Sequence, residues 1–131
     1  MKKMNINKLS AVSTKLFGHD EIFKDFLSLY ENNKLPKVVI LTGEKGSGKF
    51  SFAFHFINFA LSQNSNLSYD LKNYEINKEN NIYKKIVLNV NQNFNYLSCE
   101  KPYSISVDDI REIKRSFSKT TLNESPRFTI I

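Results

Sequence analysis

Apolar residues in the first half of the chain follow two different rhythms. From Asp20 to about Asn33, the residues Ile22, Phe23, Phe26, Leu27 and Tyr30 recur at helical spacing, which predicts a helix with one face on a core. Asp20 suits its N-cap, and Asn32 and Asn33 suit its end. Val38-Val39-Ile40-Leu41-Thr42 is instead continuous and β-branched, the pattern of a strand buried on both faces of a parallel sheet. Glycines follow at once. The stretch from Phe52 to Leu61 is then apolar nearly all round and too long for a strand, so it predicts a deeply packed helix.

Further along the pattern weakens. Residues 62 to about 92 are rich in Asn, Lys and Tyr, and Leu71, Tyr74, Ile82, Tyr83 and Ile86 support one or two short helices. A strand is expected from Phe94 to Ser98. Ser106 opens a helix with Asp108 and Asp109 in the first turn, where the dipole favours acids, and with Val107, Ile110, Ile113 and Phe117 as its apolar stripe. Pro126 precedes a last β-branched run, Phe128-Thr129-Ile130-Ile131, read as another strand. Strands separated by helices indicate an α/β chain. Residues 1–18 form a polar leader, and no internal repeat is visible.

Composition adds limits more than direction. A chain of 131 residues has room for one small domain. Its net charge of +6 is a weak pointer to nucleic acid, because Lys, Asn, Ile and Phe are abundant throughout. Cys99 is the single cysteine, which excludes an intrachain disulfide and a cysteine-built zinc site and fits a reducing cytoplasm. Met1-Lys2-Lys3-Met4 resembles the charged front of a signal peptide, but polar residues follow through Thr14. No run approaches the roughly 18 apolar residues of a membrane span. The expectation is a soluble protein that stays where it is made.

Candidate chemistry lies between the first predicted strand and the packed helix. Gly43-Glu44-Lys45-Gly46-Ser47-Gly48-Lys49 has the phosphate-loop spacing of glycine, four residues, glycine, lysine. Glycines let successive N–H groups turn inward on a phosphate chain, and the following helix adds the positive end of its dipole. Lys49 is placed to bring an ammonium to the outer phosphates. Gly43 to Lys49, with Phe50 after them, form the expected nucleotide-binding set, but one position departs from the pattern. After the lysine the motif takes Ser or Thr to hold Mg²⁺, and here stands Phe50. Ser51 is no replacement, since one residue along a helix turns the side chain by about 100°. Nucleotide binding without efficient hydrolysis, with Mg²⁺ weakly held or absent, is therefore expected, or a vestigial loop that has lost binding too. No catalytic residue can be named.

At this point the residues resemble a family. Phe17-Gly18-His19, the step Lys34-Leu35-Pro36 into Val38 to Thr42, the loop from Gly43 to Lys49, and Ile105-Ser106-Val107-Asp108-Asp109-Ile110-Arg111-Glu112 are similar to stretches of bacterial clamp-loader subunits. Arg127 to Ile131 looks like the strand leading into their acidic motif. The best resemblance is to the delta-prime subunits of DNA polymerase III, of the AAA+ class, over about residues 14 to 61 and 94 to 131.

The resemblance implies a three-layer AAA+ fold with a parallel sheet, incomplete, with about three of five core strands present. Residues 19–131 would then be the N-terminal part of the nucleotide-binding domain, with a polar insertion at about 62–92. It also implies a role in loading the sliding clamp onto primed DNA during replication. The partners would be other clamp-loader subunits, the clamp and, indirectly, primer–template DNA. The setting would be the bacterial cytoplasm, with the nucleoid-associated replication machinery.

A degenerate phosphate loop is common in delta-prime subunits, and Phe50 agrees with one; zinc is not expected here. The family's arginine finger would lie beyond Ile131. Because the AAA+ sheet sets the phosphate-loop strand between strands that come later, Val38 to Thr42 would lack both hydrogen-bonding neighbours. The chain is accordingly expected to be marginally stable alone, or the front of a longer protein.

The remaining residues have plainer readings. The resemblance sets His19 near the adenine side of a nucleotide, where a contact is one expectation. His55 is expected to be a satisfied core residue, Cys99 a buried small hydrophobe, and Arg111 and Arg115 part of a solvated face or, alternatively, of a subunit or DNA contact. The alternatives in function are a free-standing P-loop ATPase or small-molecule kinase, which Phe50 counts against, and a nucleotide-regulated DNA-binding module, which only the charge supports.

Overall fold

The computed structural model describes residues 6–97, 105–119 and 124–131. In chain order these hold helices α1 (Ile6–Ser10), α2 (Asp20–Glu31), α3 (Lys49–Ser62) and α4 (Asn81–Val87), strand β1 (Phe94–Tyr96), helix α5 (Val107–Ser118) and strand β2 (Phe128–Ile130). Cys99, and Ser98 at the end of the expected strand, lie outside the described residues.

Helix α3 is the hub. Every residue from Phe54 to Ser62 is buried, as a helix apolar nearly all round requires. Helix α2 lays its stripe along it. Phe23 packs edge-on against Phe52 at 5.6 Å, Phe26 against Phe52 at 5.0 Å and Tyr30 against Phe56 at 5.5 Å. Such aromatic pairs add about 0.5–1.5 kcal/mol each beyond the area they bury. Phe128 of β2 meets Phe56 from the sheet.

The ends of α2 depart in part from expectation. Asp20 is the first helical residue and not the cap; the cap is His19, in left-handed conformation and without a side-chain cap bond. Two acids, Asp20 and Glu21, still face the positive end of the dipole. Asn32 and Asn33 stop the helix as expected, with Asn33 at φ 55° and Lys34 N–H donating to the Leu29 carbonyl.

The sheet is α/β and parallel, with two strands among the described residues. β1 and β2 pair with Phe94 opposite Phe128 and Tyr96 opposite Ile130, and α5 lies between them in sequence. Helix α5 begins at a capping box in which Ser106 Oγ accepts from Asp109 N–H while the Asp109 carboxylate accepts from Ser106 N–H. None of its residues is buried, so its apolar stripe stays open. The Arg127 guanidinium donates to the carbonyls of Ser116 and Lys119 and ties β2 to the end of that helix.

The third strand expected, Val38 to Thr42, does not form. The segment has no ladder partner, and Val38 and Ile40 are 80% and 81% exposed; only Leu41 reaches the core. The apolar run is right for a buried strand, but a strand also needs a neighbour to take its N–H and C=O groups, and no described strand lies beside it. Two strands, not three, therefore make up the sheet described here.

Residues 62–92 carry one helix, α4, and an ordered loop. Asn80 organises both. Its Oδ1 accepts from Ile82 and Tyr83 N–H as the N-cap of α4, while Nδ2 donates to Ser65 Oγ, Asn66 O and Leu67 O. Residues 8–18 also join the core, through buried Leu9 and Leu16. Two backbone bonds pin them to the loop: Leu16 N–H to Tyr74 O and Ile76 N–H to Thr14 O. Among the described residues no helix is long and apolar enough to cross a membrane.

Candidate functional site

The loop from Gly43 to Lys49 runs directly into the N-terminus of α3. Gly46 and Gly48 have φ of 84° and 86°, conformations that a side chain resists, and Gly48 caps the helix with no side chain to offer. A Cβ on Gly43 would lie 3.1 Å from Ser47 Oγ, a tight approach from which the hydroxyl would have to move, and the φ of 153° already disfavours a side chain there. Because the cap supplies no side-chain acceptor and the first turn contains no acid, the first N–H groups of α3 face no negative competitor within the helix.

Lys49 folds back over this loop. Its Nζ donates to the carbonyls of Gly43 at 2.8 Å and Glu44 at 2.6 Å and to Ser47 Oγ at 3.2 Å. The ammonium thus sits across the loop, held by neutral oxygens rather than by a carboxylate. An anion entering the loop offers it a stronger, charge-assisted partner. The side chains of Glu44 and Lys45 are exposed and take no part in this arrangement. Ser47 N–H donates to the Glu44 carbonyl and closes the turn.

Phe50 leaves the site. Its ring stacks on Phe54 at 6.1 Å and tilts against Tyr96 of β1 at 5.1 Å. The position at which a magnesium-binding loop carries a hydroxyl is here a packing residue that joins α3 to the sheet. Lys8 Nζ lies 5.9 Å from the Phe50 ring and 5.6 Å from that of Tyr96. The described residues also offer no cluster of three His, Cys, Asp or Glu suited to a metal. Phe50 thus brings a ring and no oxygen atom to the position after Lys49.

His19 comes to the loop from the start of α2, with Nε2 2.8 Å from the Ser47 carbonyl oxygen. The structure therefore gathers His19 and Gly43 to Lys49 in one place and sends Phe50 elsewhere. Tyr96 and Lys8, which surround the Phe50 ring, carry no signal in the sequence, since their proximity depends on how β1 and α1 pack.

A family model described as DNA polymerase III, delta subunit, matches residues 18–131. The chain belongs to the DNA polymerase III delta subunit family. Its matched region begins at Gly18, beside the His19 contact, and takes in the whole loop, α5 and β2. Membership makes the chain a clamp-loader-type subunit. No curated protein and no solved structure matches the chain. Elsewhere in this delta-family chain, His55 is a core residue as expected, bonded to Tyr69 Oη and to the Ser13 carbonyl, and Arg111 is an exposed residue paired with Asp108 at 3.1 Å.

Proposed function

We propose that the chain is a delta-prime-like subunit of the DNA polymerase III clamp loader. In this reading it binds the phosphates of ATP on Gly43 to Lys49 without hydrolysing them efficiently. The observation that carries the nucleotide part is the Lys49 ammonium, held by neutral oxygens inside a glycine loop at a helix start without a side-chain cap. Backbone N–H groups of the loop and of the first turn of α3 would take the phosphate oxygens, and Lys49 would exchange its three loop contacts for the outer phosphates. Phe50, committed to Phe54 and Tyr96, supplies no oxygen ligand, so turnover is expected to fall to a sister subunit. Family membership and the stretch Ile105 to Glu112 support the partners: other clamp-loader subunits, the sliding clamp and, through them, primer–template DNA. Work at the replication machinery implies the cytoplasm.

Titration of the purified chain with a fluorescent ATP analogue, beside a Lys49→Ala variant, tests the nucleotide reading. Wild type is expected to bind, Lys49→Ala to bind at least about tenfold more weakly, and neither to release phosphate. Phosphate release that vanishes in Lys49→Ala would instead favour a free-standing ATPase or kinase. Absence of binding, with assembly onto the sister subunits intact, would mark the loop as vestigial.

A further inference from the structure

His19 stands in the left-handed region, at φ 61° and ψ 20°, immediately after Gly18 at φ 73°. Glycine takes this backbone freely and a residue with a Cβ does not, so a histidine held there points to a use for its side chain. That use is not the capping of α2, to which the side chain makes no hydrogen bond. The ring crosses to the glycine loop. Nε2 lies 2.8 Å from the carbonyl oxygen of Ser47, 28 residues along the chain. The ring also stands edge-on to Phe52, with centroids 6.4 Å apart, and a Cβ built on Gly48 would come to 3.6 Å from Nε2. Phe52 is buried in α3, so the imidazole, itself exposed to solvent, meets the edge of the core on one side and one peptide of the loop on the other.

We propose that His19 is a positioning residue that tethers the loop through its Ser47–Gly48 peptide. A carbonyl oxygen only accepts, so Nε2 carries a proton and donates. In a trans peptide the C=O and the following N–H point in opposite directions. Drawing the Ser47 carbonyl toward His19 therefore turns the Gly48 N–H away from it. This makes the orientation of a loop donor depend on a residue of another element. Gly48, with φ of 86°, has no side chain to restrain its own peptide, so without the tether that peptide is free to turn over. The consequence for nucleotide affinity rests on the phosphate-loop reading above; the tether itself does not.

The test compares the wild-type chain with His19→Gly and His19→Gln. Glycine removes the ring while easing the left-handed backbone, so a looser loop cannot be blamed on strain; glutamine restores an amide N–H donor of similar reach. Millisecond hydrogen exchange at residues 44–50, without nucleotide, reads the loop; protection within α3 serves as the control for folding. His19→Gly is expected to raise loop exchange about fivefold and His19→Gln to return it to within about twofold of wild type, the scale of one hydrogen bond. The affinity for the fluorescent ATP analogue is expected to follow the same order.

Unchanged loop exchange in His19→Gly overturns the proposal. So does a folded His19→Gln as loose as His19→Gly. Loop exchange that follows the expected order, in a chain that binds no ATP analogue, supports the tether and removes the nucleotide reading instead.

Discussion

His55 shows how one residue is decided by its surroundings. It is fully buried, and both ring nitrogens are used: Nε2 donates to the Ser13 carbonyl and Nδ1 accepts from the Tyr69 hydroxyl, each at 2.8 Å. Burial lowers its pKa from the usual imidazole value, and the Ser13 contact opposes this more weakly. Burial also pushes the Tyr69 phenol well up, so it remains a donor. The sign follows from the protons bound. Above the unfolded value of about 6.5 both states are neutral and the contribution is fully present. Below it the unfolded chain takes up a proton that the folded chain resists, so stability falls as pH drops toward the lowered folded pKa. Thermal midpoints are expected to fall between about pH 7 and pH 5, and less steeply in His55→Asn. An identical slope in both proteins would assign the acid sensitivity to other groups.

At the scale of elements, two helices begin for different reasons. Helix α5 has a local start, the Ser106–Asp109 capping box, and buries no residue, so its sequence alone announces it. Helix α4 has only seven residues and depends on Asn80, whose amide also holds the loop carbonyls of Asn66 and Leu67. Asn80 is 3% exposed, so removing its amide deprives part-buried groups of partners as well as removing a cap. Asn80→Ala is expected to cost about 1–2 kcal/mol in urea unfolding. It should also speed amide exchange at Ile82 and Tyr83, the two N–H groups it caps. A loss confined to those amides, with no change in overall stability, would show that the loop at 65–67 holds itself.

At the scale of the whole molecule, the core is built around α3 and leaves the segment before the loop outside it, apart from Leu41. Val38→Thr and Ile40→Thr keep β-branching and remove apolar surface that the described fold does not use. Each is expected to shift the stability of this chain by less than about 0.5 kcal/mol. A loss of about 2 kcal/mol or more would show that these side chains are buried in solution. The loop they lead into is anchored from its other side, by α3 and by His19, and so keeps its form although Val38 to Thr42 forms no strand.

The sequence by itself determined what depends on near neighbours. The all-round apolar stretch from Phe52 to Leu61 could only be a packed helix, Ser106 with Asp109 could cap one, and the spacing from Gly43 to Lys49 prescribed a glycine loop entering α3. The clamp-loader resemblance was legible in the same short stretches, and the family match covers them. Tertiary structure decided what depends on distant partners. Val38 to Thr42 carries a strand pattern, but hydrogen bonds from a neighbouring strand make a strand, and none is supplied among the described residues. Phe50 followed Lys49 in a phosphate-loop motif, yet its direction was set by Phe54 and Tyr96. The resemblance singled out His19 beside the glycine loop; that its ring grips the Ser47 carbonyl follows only from the packing of α2 on α3. Periodicity and caps act within a few residues, whereas ladders, ring contacts and tethers join positions tens of residues apart, and only the folded chain brings those together.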